Sequence, residues 1–390
     1  MNDDKIIAEK FRAKFGVNPH VYRAPGRVNL IGEHTDYNDG FVMPAAIGFY
    51  CWVAASPRQD HKLVVSSEEF PEQAEVELSS GMLQPSHTWS DYSVGVAVQL
   101  QKAGFRLSGA NLLVHGEVPM GAGLSSSASI EVATALALAE ESGLSIDRPH
   151  LARICQQAEN DFVGMRCGIM DQFISLHGRA NHALMLDCRS LDYELVPIPE
   201  SVKLVICNTG VKHTLAGGEY NQRREECEEA VRSLQKALPK IRALRDVTMG
   251  QLEEHRELLS EVLYKRAKHI VTENGRVLNS VKALRAGDLR QFGKYMAESH
   301  VSLRDLFEVS CAELDLMVDL ANREPGVYGA RMTGGGFGGA TINLVEARHA
   351  AGFAESVAKG YQKETGITPV VYICMPADGA SLVESPEMAR

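Results

Sequence analysis

The chain has 390 residues, 45% of them apolar and 23% charged, and a formal net charge of −10 at pH 7. That length is long for one hydrophobic core, so two lobes around a cleft are expected. The acidic balance argues against a nucleic-acid surface, which needs a basic face, but leaves room for an anion held by a local cluster of backbone N–H groups.

In chain order, residues 5–15 are expected to form an amphipathic helix with Ile7, Phe11 and Phe15 on one face and Gly16 as its stop. Its charged beginning lacks the apolar core of a secretory signal. Segments 41–55, 62–66 and 74–78 read as strands, 92–103 as a helix ended by Gly104, and 110–114 as a strand. The Ala-rich stretch 128–142, closed by Gly143, is a strong helix. A helix is expected at 149–163, then a glycine-flanked turn over 164–171, strands at 183–186 and 202–207, and a helix at 219–238. Residues 260–322 are mostly helical, and strands at 327–332 and 341–345 flank a glycine-rich loop. Irregular runs of strands and helices favour an α+β fold, with lobes divided near 180–190, that is 1–185 and 186–390.

The longest apolar stretch, Ile130–Ala139, is too short to span a bilayer and carries Glu131, so no membrane contact is expected. Eight cysteines show neither C-x-x-C nor zinc spacing, the pattern of reduced thiols in a cytoplasmic protein. Nothing indicates an obligate protein partner.

Four segments carry chemistry. Pro119-Met-Gly-Ala-Gly-Leu-Ser-Ser-Ser-Ala128 runs straight into the expected helix. Gly121 and Gly123 allow a ligand close to the main chain. Ser125, Ser126 and Ser127 lie where unpaired N–H groups and the helix dipole favour an anion. Serines that only cap the helix are the plainer alternative. There is no G-K-[ST] of a Walker loop and no G-x-S-x-G elbow. Gly334–Gly339 has the form G-x-G-x-x-G, but a strand-like segment follows where a dinucleotide site needs a helix. A tight turn approached by a ligand or by the other lobe is expected there. Residues 23–37 pack Arg27, Glu33, His34, Asp36 and Tyr37 together, donors and acceptors suited to sugar hydroxyls. A polar surface loop is the alternative, although Leu30 and Ile31 indicate partial burial. In Cys167–Gln172, Asp171 follows a glycine turn and by itself reads as structural.

Together these segments resemble the small-molecule kinases of the GHMP family. PGRVNLIGEHTDY (25–37) looks like the family's galactose-specific signature and GAGLSSSAS (121–129) like its ATP loop. TGGGFGGATI (333–342) resembles its third motif, and CGIMDQF (167–173) the segment of its catalytic aspartate. With GEYNQRR at 218–224, the likeness runs from about residue 20 to 375. It implies a two-lobed fold with the site in the cleft, and transfer of the γ-phosphoryl of ATP to the anomeric hydroxyl of galactose.

By residue, the resemblance implies Asp171 as base, presented by the turn at Gly168, and Arg27 as stabiliser of transition-state charge. It puts Glu33, His34, Thr35 and Asp36 on sugar hydroxyls, with Tyr220 closing over the ring. Gly121, Ala122, Gly123, Leu124, Ser125, Ser126 and Ser127 wrap the ATP phosphates and Ser67 touches the nucleotide. Ser127 and Glu159 hold Mg²⁺, a hard cation that prefers oxygen ligands. Kinases for N-acetylgalactosamine, arabinose or galacturonate are the nearest alternatives. A galactose sensor without turnover lacks a Ser-Ala pair of the ATP loop, whereas Ser127-Ala128 is intact here.

Overall fold

A computed structural model describes residues 3–79, 83–212 and 216–383. The first part runs α1 (Asp3–Phe15), β1 (His20–Asn29), β2 (Phe41–Val42), β3 (Pro44–Pro57), β4 (Lys62–Ser67), β5 (Ala74–Glu77), α2 (Asp91–Lys102), β6 (Ala110–Gly116), α3 (Ser126–Glu141), α4 (Arg148–Ala158) and α5 (Met170–His177). It continues through β7 (His182–Asp187), β8 (Tyr193–Pro197), β9 (Val202–Lys212), α6 (Ala216–Leu234), α7 (Met249–Glu254), α8 (Glu261–Arg285), α9 (Leu289–Ser302) and α10 (Ala312–Ala321). The end is β10 (Val327–Thr333), β11 (Gly338–Glu346), α11 (Ala350–Thr365), β12 (Val370–Cys374) and β13 (Ser381–Val383).

A six-stranded sheet, ordered β13-β1-β3-β6-β4-β5, is antiparallel except for the β4–β6 pair. Alternation along β3 sorts its two faces. Cys51, Val53 and Ala55 meet apolar side chains of α2 to α5, while Trp52 and Ala54 meet Ile7 and Phe11 of α1. A four-stranded antiparallel sheet, β10-β11-β9-β12, repeats the device. Leu204 and Ile206 of β9 pack with Val277 and Phe292 of α8 and α9, and Val205 and Cys207 with Met317 and Phe353 of α10 and α11. The first of these cores also takes in Val28, Leu30, Ile31 and Leu124, so one apolar cluster joins the end of β1 to the second sheet.

Two expectations need correction. The helix expected over 149–163 is α-helical only to Ala158 and ends in a π-turn at Glu159–Val163. The turn expected over 164–171 is cut short by α5, whose Met170, Phe173 and Ile174 are buried against the first sheet's core. The last strand also returns to the first sheet, with Val383 opposite Val21, so residues 381–383 sit with strands of the 1–185 segment. The eight cysteines are free thiols, five of them buried. Among the described residues no helix is long and apolar enough to cross a membrane.

Candidate active site

Arg27 sits where β1 slips register against β3, between Pro25 and Arg27; a bulge of this kind re-aims a side chain. Its guanidinium reaches across to the first turn of α5. Nε donates to Asp171 Oδ1 at 2.7 Å, Nη2 to Asp171 Oδ2 at 2.8 Å, and Nη1 to the Gly123 carbonyl at 2.6 Å. The pair is asymmetric in exposure, the Arg27 side chain buried and that of Asp171 23% exposed toward the cleft. Burial alone would lower the Arg27 pKa, but Asp171 and then Glu33 raise it.

The hydroxyl of Ser125 also donates to Asp171. Ser125 holds a left-handed conformation at φ 59° and makes no capping bond to α3. The plainer reading, serines spent on capping, therefore fails. Ser126 and Ser127, the first residues of a 16-residue helix, line the cleft beside Gly121 and Gly123, both at positive φ. N–H groups at a helix start attract phosphate oxygens.

Opposite lies the loop after β1. Glu33 accepts from the Gly334 amide at 2.7 Å and pairs with the fully buried Arg331. Burial pushes its carboxyl up, against Arg331 and Arg27. His34, at φ 63°, shares Nδ1 with the Tyr37 hydroxyl at 2.8 Å. Its ring packs on Tyr220 and Phe307, and burial brings its pKa down to about 3, so it is neutral. Asp36 takes the Tyr37 amide at 3.0 Å, and burial, then the nearby Asp171, raises its carboxyl to about 6. Gly168 is required here, since a Cβ would lie 2.0 Å from Asp36 Oδ2.

A cleft of about 370 Å³ is lined by Arg27, Glu33, His34, Asp36, Asp171 and Tyr220, together with Gly121, Gly123 to Ser127 and Glu159. Ser67 lies outside it, bonded to Glu69 in an adjoining hollow of about 230 Å³ with Phe70, Trp89 and Tyr92. Ser126 and Ser127 line both spaces. Ala122 is wholly buried and offers only its backbone. Thr35 does not line the cleft: its hydroxyl is shared between the carbonyls of Gly32 at 2.8 Å and Phe41 at 2.7 Å. That side chain ties the loop shut and is not presented to a sugar.

Three comparisons bear on this arrangement. Residues 9–57 match a galactokinase galactose-binding signature, 91–179 the N-terminal domain of GHMP kinases, and 280–363 their C-terminal domain. A galactokinase of Roseiflexus sp. is 47% identical over 384 residues, 98% of each chain, and one of Chloroflexus aggregans is 48% identical over 382 residues, again 98% of each. The chain belongs to the galactokinase family. A crystal structure of Lactococcus lactis galactokinase complexed with galactose, 37% identical, superposes with a TM-score of 0.94 over 98% of this chain and 100% of that one. A mevalonate kinase at 18% identity and TM-score 0.63 shares the fold alone. The galactokinase-family assignment bears out the expected α+β GHMP architecture and a phosphotransferase.

Around this galactokinase-family cleft stand residues that the sequence reading passed over. Arg331 backs Glu33 from β10, and its partner lies 298 positions away in the chain, so no local signal marks it. Glu131 of α3 is wholly buried, one oxygen accepting from Gln172 Nε2 at 3.0 Å while Oε1 has no partner among the described residues. The same Gln172 amide donates to Glu159 at 2.7 Å. A carboxylate inside an apolar helix run is the signal by which the sequence marks Glu131.

Proposed function

We propose that the chain phosphorylates the anomeric hydroxyl of D-galactose with ATP, in the cytoplasm, giving galactose 1-phosphate and ADP. The observation that carries this is the Arg27–Asp171 pair, set where the carboxylate-lined loop 33–36 meets the uncapped start of α3. The triphosphate lies along residues 121–127, and the nucleoside end reaches the hollow of Ser67. Glu33, Asp36 and the neutral His34 take the sugar's hydroxyls, and Tyr220 closes over the ring.

In the transfer, the anomeric oxygen forms a bond to the γ-phosphorus, the bond from that phosphorus to the β,γ-bridging oxygen breaks, and the hydroxyl proton passes to Asp171. Phosphoryl transfer runs through a loose transition state, so placement and charge compensation matter more than covalent help. Arg27 supplies that compensation from a buried, fixed position. Two Asp171 oxygens already receive three donors, which orients the carboxylate toward the incoming hydroxyl.

Ser127 and Glu159 fit Mg²⁺. Glu159 is buried, accepts from the Ser127 hydroxyl, and is raised to about 7 by burial and then by Asp171. A buried carboxylate short of positive partners suits a hard cation, which needs few protein ligands beside phosphates and water. When bound, the metal neutralises developing charge on the phosphates.

A coupled assay of ADP release with galactose, N-acetylgalactosamine, arabinose and galacturonate tests the reading. Galactose should give the highest kcat/KM. A clear preference for another of these sugars would replace the substrate and keep the family.

A further inference from the structure

We infer that one face of α8, from the second half of the chain, is the template that holds the galactose loop in its binding shape. This rests on the galactose reading above. Three buried polar side chains at helical spacing each bond the loop's backbone. His269 Nε2 meets the Glu33 carbonyl at 3.1 Å, Glu273 Oε1 accepts from the Gly32 amide at 2.9 Å, and Asn274 Oδ1 accepts from the Phe41 amide at 2.9 Å. Positions i and i+4 share one helix face, and i+5 lies beside them, about 100° further round the helix. None of the three lines the cleft. They are positioning residues.

The fit is close. A Cβ at Gly40 would lie 2.4 Å from Asn274 Oδ1, and one at Gly32, already at φ 99°, would lie 2.9 Å from Val277 of the same helix. Glu273 is fully satisfied, since Ser299 Oγ donates to Oε1 at 2.6 Å and Arg276 Nε to Oε2 at 2.6 Å. One turn earlier Arg266 donates to Glu226 of α6 at 2.6 Å and to the Leu306 carbonyl at 2.6 Å. Thus α8 also fixes the helix that carries Tyr220. The loop between Gly32 and Phe41 carries His34 at positive φ, a conformation that persists only where its surroundings impose it.

The prediction is a selective loss of galactose recognition by residues that never touch the sugar. With the full-length enzyme, Glu273→Ala should raise KM for galactose by roughly tenfold or more, the equivalent of one buried charge-assisted bond. KM for ATP should stay within about threefold. Glu273→Gln keeps an acceptor for the Gly32 amide and should recover most of the loss. Should Glu273→Ala not accumulate as folded protein, Asn274→Leu carries the same prediction for the Phe41 amide. Equal rises in both KM values, an unchanged galactose KM, or a Glu273→Gln variant no better than the alanine would overturn the inference. Failure of the unsubstituted enzyme to turn over galactose would remove the underlying reading, and this inference with it.

Discussion

Arg27 and Asp171 form a two-point ion pair, at 2.7 and 2.8 Å, between the bulged end of β1 and the first turn of α5. Fork-to-carboxylate geometry of this kind needs a planar guanidinium. Arg27→Lys should keep a positive charge and still lose kcat, because an ammonium cannot hold both Asp171 oxygens and the Gly123 carbonyl. Arg27→Ala should lose more, in the range of roughly 10³–10⁵ seen for stabilising arginines in phosphoryl transfer. Steady-state kinetics on folded variants check this, and near-normal turnover in Arg27→Ala would remove it from the mechanism.

Asp36 gives a pH signature. Burial and the neighbouring Asp171 raise its carboxyl to about 6, so it takes up a proton at higher pH than an ordinary aspartate. The ionised form accepts hydroxyl donors. The expected sign is therefore a fall in kcat/KM for galactose as pH drops through about 6, a profile that reports the free enzyme. Asp36→Asn should flatten that inflection. A profile unchanged by the substitution would detach Asp36 from it.

Thr35 is predicted to act on stability through the loop. Thr35→Val keeps the shape and leaves the Gly32 and Phe41 carbonyls without their shared donor. The expected cost is about 1–3 kcal/mol in denaturant unfolding. Loss of galactose binding with unaltered stability would contradict this placement.

For the metal, Glu159→Gln preserves size and removes charge. It should raise the Mg²⁺ concentration for half-maximal rate, while galactose binding measured without nucleotide changes little. An unaltered Mg²⁺ dependence would leave Glu159 a buried acceptor for Ser127, Cys167 and Gln172.

What could be read from the sequence follows the range of the contacts. The glycine-rich run into α3 is legible because its physics is local: two glycines at positive φ and a helix start within seven residues. The charge-dense loop at 23–37 was legible as a cluster, yet its geometry is not local. Glu273 and Gly32 stand 241 positions apart, and Asn274 and Phe41 233 apart. No spacing along the chain reveals such pairs. Thr35 was read as a sugar ligand because sequence cannot tell which way a hydroxyl turns. Helix α5 was missed because eight residues after a glycine turn give too few periods to register.

The central claim is that Asp171 faces the anomeric hydroxyl while Arg27 holds it there. The most direct test is ³¹P and ¹H NMR of the product formed from galactose and ATP. A phosphorus signal coupled to the anomeric proton is the predicted result, and it should be absent with Asp171→Asn under the same conditions. Phosphate at another carbon, or undiminished product from Asp171→Asn, would contradict the account.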